Sequence, residues 1–242
     1  MSVSTIRWFL VVLLVFSFLP QLSFSQKDSH ALVLERTIRD VKLKEANVDL
    51  ALARLSVGYG IRIGLEMAKD SSDGPEIVLE LKDATVRQIL DSIIKQDTRY
   101  EWAIVDNVIN VKPRSDREEL LADLLNTKIR SFSVQRHTAT FDLRVRLLDL
   151  PEVQTRLRDA GVRRRVSGYF NADLLSMGDN LSLTLHDKTL KEILNTLVST
   201  RTSDARYWVI NRFRTDNDYV TLNFVVFQEA ISLEKSPALT QP

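Results

Sequence analysis

The chain has 242 residues, and its 33 lysine and arginine residues almost balance its 32 aspartate and glutamate residues. This balance predicts no general attraction to nucleic acid or to acidic membrane surfaces. Cysteine is absent, which excludes disulfides, cysteine metal sites, cysteine nucleophiles and a lipid-modified N-terminal cysteine. The length fits one or two domains.

Residues 1–25 have the features of a secretory signal peptide. Arg7 precedes an uncharged run of 12 residues, Trp8–Leu19, and small residues follow at Ser23 and Ser25. The run is shorter than the roughly 20 residues that a membrane-spanning helix needs. We therefore expect cleavage before Gln26 and export to the periplasm, where association with the outer membrane stays open. Retention of the segment as an N-terminal anchor is the alternative.

The first half of the sequence predicts the element order β-α-β-β-α-β-β. Apolar residues alternate in the strands, which we predict at Thr37–Leu43, Ile61–Met67, Ile77–Leu81, Tyr100–Val105 and Val108–Val111. Asn47 is a good N-cap for the first helix, and Gly60 is suited to its end. Asp106-Asn107 tolerates positive φ and therefore predicts a two-residue hairpin turn between the last two strands.

The second helix of this half lies in a stretch, Leu79–Ile94, that has a near-copy 104 residues later at Leu183–Val198. Six of the sixteen aligned positions are identical, and both copies contain Asp-x-Thr before a helical apolar stripe. Lys191 falls outside this stripe and is predicted to face solvent. The predicted capping boxes are Thr85 with Gln88 and Thr189 with Glu192. We interpret the two copies as an internal duplication.

A connecting helix is predicted between the two halves. Pro113 ends the first half, and Ser115-x-x-Glu118 has the pattern of another capping box. Leucines at helical spacing follow, so the helix should end near Asn126 and dock rigidly through its apolar stripe.

The second half repeats the order with an insertion. Phe141-Asp142-Leu143 aligns with Val48-Asp49-Leu50 at an offset of 93 rather than 104 residues, which predicts about 11 added residues. Pro151 is suited to the first turn of an added helix, Pro151–Ala160, which the following glycine ends. Because Phe141–Leu147 also alternates like a strand, the secondary structure of 137–162 stays open. The other elements are predicted at Ile129–Val134, Arg163–Phe170, Leu181–Leu185, Thr189–Ser199, Arg206–Asn211 and Tyr219–Phe227.

The predicted fold class is therefore α/β (α+β), with two small units whose small sheets pack against two helices each. We predict a signal peptide over 1–25, a first unit over 36–113 and a connecting helix over 114–127. A second unit follows over 128–229, and a disordered tail over 230–242.

The order of strand, helix, glycine stop, the strand IRIGLEM and then L-x-L-x-D-x-T resembles the secretin and TonB short N-terminal (STN) domain family. The resemblance covers Ile38–Lys112 well and Ile129–Phe227 in part, because the first helix is enlarged there. It implies a small periplasmic α/β domain, which in that family stands at the periplasmic end of secretin channels or signals in TonB-dependent receptors. No secretin pore or receptor segment follows in this sequence, so the resemblance implies recognition without transport.

The sequence contains no pattern of a catalytic, cofactor or metal site. The histidines, His30, His137 and His186, are not spaced as metal ligands, and no phosphate-binding or dinucleotide-binding fingerprint occurs. Asp83 and Asp187 lie just before helix starts, where carboxylates interact favourably with the helix dipole. We therefore predict a non-enzyme without cofactor or metal.

Arginines crowd the insertion and the strand that follows it. Alternation along that strand predicts that at least one of Arg163, Arg164 and Arg165 borders the interior. This surface is a candidate docking patch for an acidic partner or for an anionic glycan or lipopolysaccharide, with Arg156, Arg158, Arg163, Arg165 and Tyr169 as candidate partner-binding residues. A solvated charged surface is the alternative interpretation of the cluster.

Two functions are compatible with these features. The first is recognition of another envelope protein by strand addition or helix docking, because small sheets leave unpaired edges. The second is binding of an anionic glycan or lipid, such as lipopolysaccharide, through the arginine cluster. Nucleic acid is not an expected partner.

Overall fold

The computed structural model describes residues 33–69, 74–115, 117–135, 140–165, 182–200, 205–214 and 218–226. The predicted signal peptide, the predicted tail and Tyr169 lie outside these ranges, as does the predicted strand Arg163–Phe170 beyond Arg165.

The helices and strands follow the predicted mixed order. The first half contains β1 Thr37–Glu45, α1 Val48–Tyr59, β2 Ile63–Glu66, β3 Ile77–Thr85, α2 Val86–Gln96, β4 Tyr100–Val105 and β5 Val108–Pro113. The connecting helix is α3 Glu119–Asn126. The second half contains β6 Lys128–Val134, α4 Thr140–Leu148, α5 Pro151–Asp159, β7 Arg163–Arg164, β8 Leu183–Thr189, α6 Leu190–Ser199, β9 Ala205–Phe213 and β10 Tyr219–Val226. The predicted α/β (α+β) fold with small sheets is confirmed, whereas the internal duplication stays a prediction.

Short-range signals in the sequence fix the helix ends. Asn47 begins α1, because its side chain accepts a hydrogen bond from the backbone N–H of Leu50 at 3.0 Å. Gly60 ends α1 in the left-handed conformation that glycine tolerates best. Both repeated helices, α2 and α6, begin with the predicted capping box. The described residues 140–162 form two helices, α4 and α5, so the alternative strand over Phe141–Leu147 is wrong.

Positive backbone φ angles explain two other features of the sequence. Asp83 and Asp187 have φ of +47° and +53°, two residues before the end of the strand that leads into a capped helix. Asp adopts this left-handed conformation more readily than most residues, which gives the repeated Asp a structural role. Asp106 and Asn107 have φ of +52° and +62°, as the predicted hairpin turn requires.

One sheet runs through both halves of the chain. Its strand order is β4-β5-β2-β9-β10-β7, and the other described strands form two antiparallel pairs, β1-β3 and β6-β8. The strand β2 pairs in parallel with β5 of its own half and with β9 of the other. The alternation of Ile61–Met67 predicts a half-buried strand, but all four residues of β2 are buried. The reason is that β2 lies in the middle of the joined sheet, where both faces are covered.

The apolar side chains form two cores, one for each half, and each core includes residues of the other half. Tyr207 and Val209 of β9 lie in the first core, and Val108 of β5 lies in the second. The connecting helix α3 buries its leucines in the second core, so it packs as a part of the second half.

Buried ion pairs hold the segment around α3 against the central sheet. Arg117 binds the buried carboxylate of Glu66 through two hydrogen bonds of 2.7 and 2.9 Å. Glu118 accepts hydrogen bonds from Arg212 and Arg214 of the second half. The predicted capping box of Ser115 and Glu118 is wrong, because Glu118 is the N-cap without a side-chain cap hydrogen bond. Its carboxylate binds the two arginines instead.

A carboxylate and a tyrosine meet where the two halves join. The hydroxyl of the fully buried Tyr207 donates to Asp49 Oδ1 at 2.6 Å. Burial raises the pKa of Asp49, and the hydrogen bond from Tyr207 lowers it in part. Ionisation of Asp49 is therefore less favourable in the folded protein than in the unfolded chain.

This raised pKa predicts the effect of Asp49→Asn. The folded protein keeps the proton of Asp49 to a higher pH than the unfolded chain, in which the pKa of Asp is about 3.9. Stability from this group is complete below that value and is lost as the pH rises through the folded pKa. Asn keeps an acceptor for Tyr207 without the charge, so the stability of the variant relative to wild type should increase from pH 3 to pH 7. Urea unfolding of both proteins from pH 3 to pH 7 measures this difference in stability. A difference that does not change with pH would contradict the raised pKa of Asp49.

Candidate binding edge of the central sheet

The edge of β9 that faces the first half is covered by β2. Gly64 of β2 pairs with Trp208 of β9, and a Cβ added at Gly64 would lie 2.2 Å from Trp208 Cε2. The backbone of β2 therefore lies directly against the indole, which is 1% exposed. Only glycine allows this close approach.

Asn195 of α6 completes the covered edge. Its Oδ1 accepts a hydrogen bond from Trp208 Nε1 at 3.1 Å. Its Nδ2 donates to the carbonyl of Val105 and to the carboxylate of Asp106, each at 3.4 Å, in the hairpin turn of the first half. The oxygen of the Asn195 amide therefore binds a residue of the second half, and its nitrogen binds residues of the first half.

The first half contains the same contact at the corresponding position. The repeated stretches align Asp91 of α2 with Asn195 of α6 at the offset of 104 residues. Asp91 Oδ1 accepts a hydrogen bond from Nε1 of Trp102 in β4 at 2.9 Å. Both strands that carry the tryptophan follow their capped helix directly, so β4 occupies in the first half the place of β9 in the second.

The outer edge of β4 differs from that of β9, because no described strand pairs with it. Within the described ranges β4 pairs with β5 alone. The two-residue turn pairs Val105 with Val108, and the Arg114 N–H donates to the Arg99 carbonyl at 2.8 Å. Alternate residues therefore bond to β5, which leaves the backbone N–H groups of Trp102 and Ile104 on the outer edge.

A cavity of about 520 Å³ lies beside this edge. Its lining residues next to Trp102 are Asp91, Ile94, Lys95, Thr98, Glu101 and Arg114. Trp102 is half-buried and Asp91 is exposed, in contrast to the buried Trp208 and Asn195. We call the edge of β4 with Trp102 and Asp91 the open edge.

The charges around the open edge are partly paired. The guanidinium of Arg87 lies 5.8 Å from the ring centre of Trp102, in the range of a cation–π contact. Arg87 also binds Glu35, and Glu101 binds Lys112, at 3.2 and 3.1 Å. Asp91 uses one oxygen for Trp102 and can only accept at the other, because a carboxylate has no N–H.

The arginine cluster of the second half is an exposed surface. Arg163, Arg164 and Arg165 are all exposed, so the prediction that one borders the interior is wrong. The short β7 lies at the rim of the sheet, where Arg164 binds Asp149 with 2.6 Å between Nε and Oδ1. The guanidinium of Arg165 lies 4.9 Å from the ring centre of Tyr219.

The two arginines of α5 are also exposed. Arg156 lines a groove of about 410 Å³ together with Lys128 and Arg130 of β6, and with Glu152 and Asp159. Glu152 Oε1 lies 3.2 Å from Arg130 Nε. The groove thus contains three cations, Lys128, Arg130 and Arg156, and two carboxylates. Arg158 is not part of this groove. The structure therefore divides the predicted cluster between α5 and β7.

The described residues form a mixed α/β fold in which β4, at one end of the central sheet, pairs with β5 alone. Comparison with protein-family models, with curated proteins and with solved structures finds no match to this chain. In the part of the chain that the structure describes, no helix has the length and apolarity needed to cross a membrane.

The open edge is a site that motif analysis of the sequence did not identify. A signal was present, because the two repeated helices place Asp91 and Asn195 at equivalent positions and each is followed by a strand with tryptophan. The sequence could not predict that β2 covers the edge of β9, because this pairing joins strands more than 140 residues apart.

Proposed function

We propose that this protein is an exported, periplasmic protein-interaction module of the envelope, related to the STN domains that its sequence resembles. In this proposal it binds another envelope protein and is not an enzyme. The partner adds an extended segment to the open edge of β4. The observation that carries the proposal concerns two strands, β4 and β9, that follow the repeated helices. Among the described residues, β2 pairs with the outer edge of β9, and no strand pairs with the outer edge of β4.

The chemistry of β4 supports strand addition. Natural sheets protect their edges with short strands, charges, proline or a covering segment, because unpaired backbone groups attract other strands. β4 has six residues, YEWAIV, with one charge and no proline. An incoming strand would form backbone hydrogen bonds with this edge, which supply affinity in strand addition. Its side chains would contact Trp102, and such contacts supply specificity.

A pair of substitutions at Ile104 tests the proposal. Ile104→Pro removes an outward N–H and leaves the pairing of β4 with β5 intact, whereas Ile104→Ala shortens the side chain and keeps the N–H. Immobilised mature chain should capture its partner from the envelope fraction as wild type and as Ile104→Ala, and Ile104→Pro should lose most of the capture. Equal capture by all three proteins would contradict strand addition at β4.

A second function, binding of an anionic glycan or lipid, is supported by the groove that brings Arg156 together with Lys128 and Arg130. The triple variant Arg156→Ser, Arg158→Ser and Arg163→Ser removes three exposed charges and should keep the circular dichroism spectrum. If this surface binds lipopolysaccharide, retention of the wild type should fall steeply with salt and the variant should bind less at low salt. Unchanged retention at every salt concentration would exclude this function.

Export is tested at the N-terminus of the protein. Mass spectrometry of the chain from the periplasmic fraction should find an N-terminus at or near Gln26. Recovery of the protein in the membrane pellet with Met1 retained would favour the anchored alternative.

A further inference from the structure

We propose that the open edge binds an extended segment that runs parallel to β4, places a glycine on Trp102 and carries a basic residue two positions before that glycine. This inference rests on the proposed function and names the chemistry of the partner. It follows from how β2 pairs with the equivalent edge of β9, and from the change of Asn195 to Asp91 between the two edges.

The glycine requirement comes from the indole. On β9 the indole of Trp208 accepts only a backbone without a side chain at the paired position, because any Cβ would overlap it. Trp102 makes the same hydrogen bond to the equivalent helix position as Trp208 does. The guanidinium of Arg87 lies over the ring of Trp102. An added strand that lies against this indole as β2 lies against Trp208 needs glycine at the paired position.

The strand direction comes from the same comparison. β2 runs parallel to β9, with Ile63 paired to Tyr207 and Glu66 paired to Ile210. The hairpin turn of the first half lies at the Arg62 end of β2, because the Ile109 N–H donates to the Arg62 carbonyl at 3.0 Å. Asn195 of α6 contacts this turn, so it lies near the end of β2 that precedes Gly64.

The basic requirement comes from the change of Asn195 to Asp91. At the covered edge the amide of Asn195 donates to a carbonyl and to the carboxylate of Asp106. Asp91 cannot donate, and it would repel a carboxylate at that place. A donor or a positive charge on the incoming segment would therefore complement Asp91, in addition to Lys95 and Arg114, which line the same cavity. A residue two positions before the glycine lies on the same face of the strand as the glycine, at the end of the strand that is nearer to Asp91.

The occupant is therefore a strand of another protein. A second copy that docked through the same hairpin turn would bring the carboxylate of Asp106 to Asp91, an unfavourable pair of like charges. The β2 strand of a second copy is buried in its own sheet and is not free to pair.

The peptide Ile61–Ala68, with the sequence IRIGLEMA, is a suitable probe because it contains the glycine and a basic residue two positions earlier. After cleavage before Gln26 the chain retains Trp102 and Trp208, so its NMR spectrum has two indole N–H signals, which Trp102→Phe assigns. The peptide should shift the Trp102 signal and leave the Trp208 signal unchanged. A peptide with Gly64→Val should cause no shift.

Charge reversal tests the second requirement. A peptide with Arg62→Glu should bind roughly fivefold more weakly than IRIGLEMA, and this difference should mostly disappear in Asp91→Asn protein. Absence of any shift at about 1 mM peptide, binding that ignores the glycine, or the same charge preference in Asp91→Asn would overturn the inference. A Trp102 signal that moves with protein concentration alone would identify a second copy as the occupant instead. If the inference fails while Ile104→Pro still abolishes capture, the proposed function stands and only the partner chemistry is wrong.

Discussion

Gly64→Ala is expected to be among the most destabilising single methyl additions in this protein. The added Cβ would lie 2.2 Å from Trp208, inside the joined sheet, and the indole is buried and held by Asn195. Overpacking in a core usually lowers the free energy of unfolding by about 1–3 kcal/mol. Because the buried indole cannot move away from the added methyl group, we expect a loss of about 3 kcal/mol or more for this variant. Denaturant unfolding of the mature chain measures the loss.

Gly58→Ala is the matched control for this substitution. Gly58 lies in α1 with nothing within 4 Å of an added Cβ, so the same change should stabilise the protein by roughly 0.5–1 kcal/mol. Opposite signs for the two variants would support the close approach of β2 to Trp208. A loss of similar size at both positions would contradict it.

Ile89→Ala and Ile193→Ala should each lower the stability by roughly 2–5 kcal/mol. The two side chains are fully buried at equivalent positions of α2 and α6, one in each core. Because β2 and β9 join the two halves in one sheet, both variants should shift a single unfolding transition. Two separate transitions would show that the halves unfold independently.

The control for these variants differs from the residue that the sequence indicates. Lys191 lies outside the apolar stripe of α6, yet it is half-buried and burial lowers its pKa. Lys95 of α2 is exposed and belongs to the equivalent helix of the first half. Lys95→Ala should change the stability by no more than about 0.5 kcal/mol, and a larger loss would mean that the helix faces are assigned incorrectly.

The features predicted from the sequence are those that nearby residues determine. The capping boxes at Thr85 and Thr189, the N-cap Asn47 and the hairpin turn at Asp106 all depend on residues within a few positions of one another. Their physical chemistry is complete within the local sequence, so the pattern is enough to predict them.

The features that the sequence did not predict depend on distant contacts. The strand β2 has an alternating sequence, but its burial on both faces results from pairing with β9. The carboxylates of Glu66 and Glu118 bind Arg117 and Arg212, and no spacing rule connects Glu118 with a residue 94 positions later. Gly64 was a usable signal, since glycine inside a strand often marks close approach of another group.

Hydrogen exchange at the outer amides of β4 tests the central claim most directly. In the isolated mature chain the N–H groups of Trp102 and Ile104 should exchange rapidly, while the amides of β9 that pair with β2 should be protected. Addition of the captured envelope partner should then protect the N–H groups of Trp102 and Ile104. Protection of these two amides in the isolated chain, or their rapid exchange with the partner bound, would contradict recognition at the open edge.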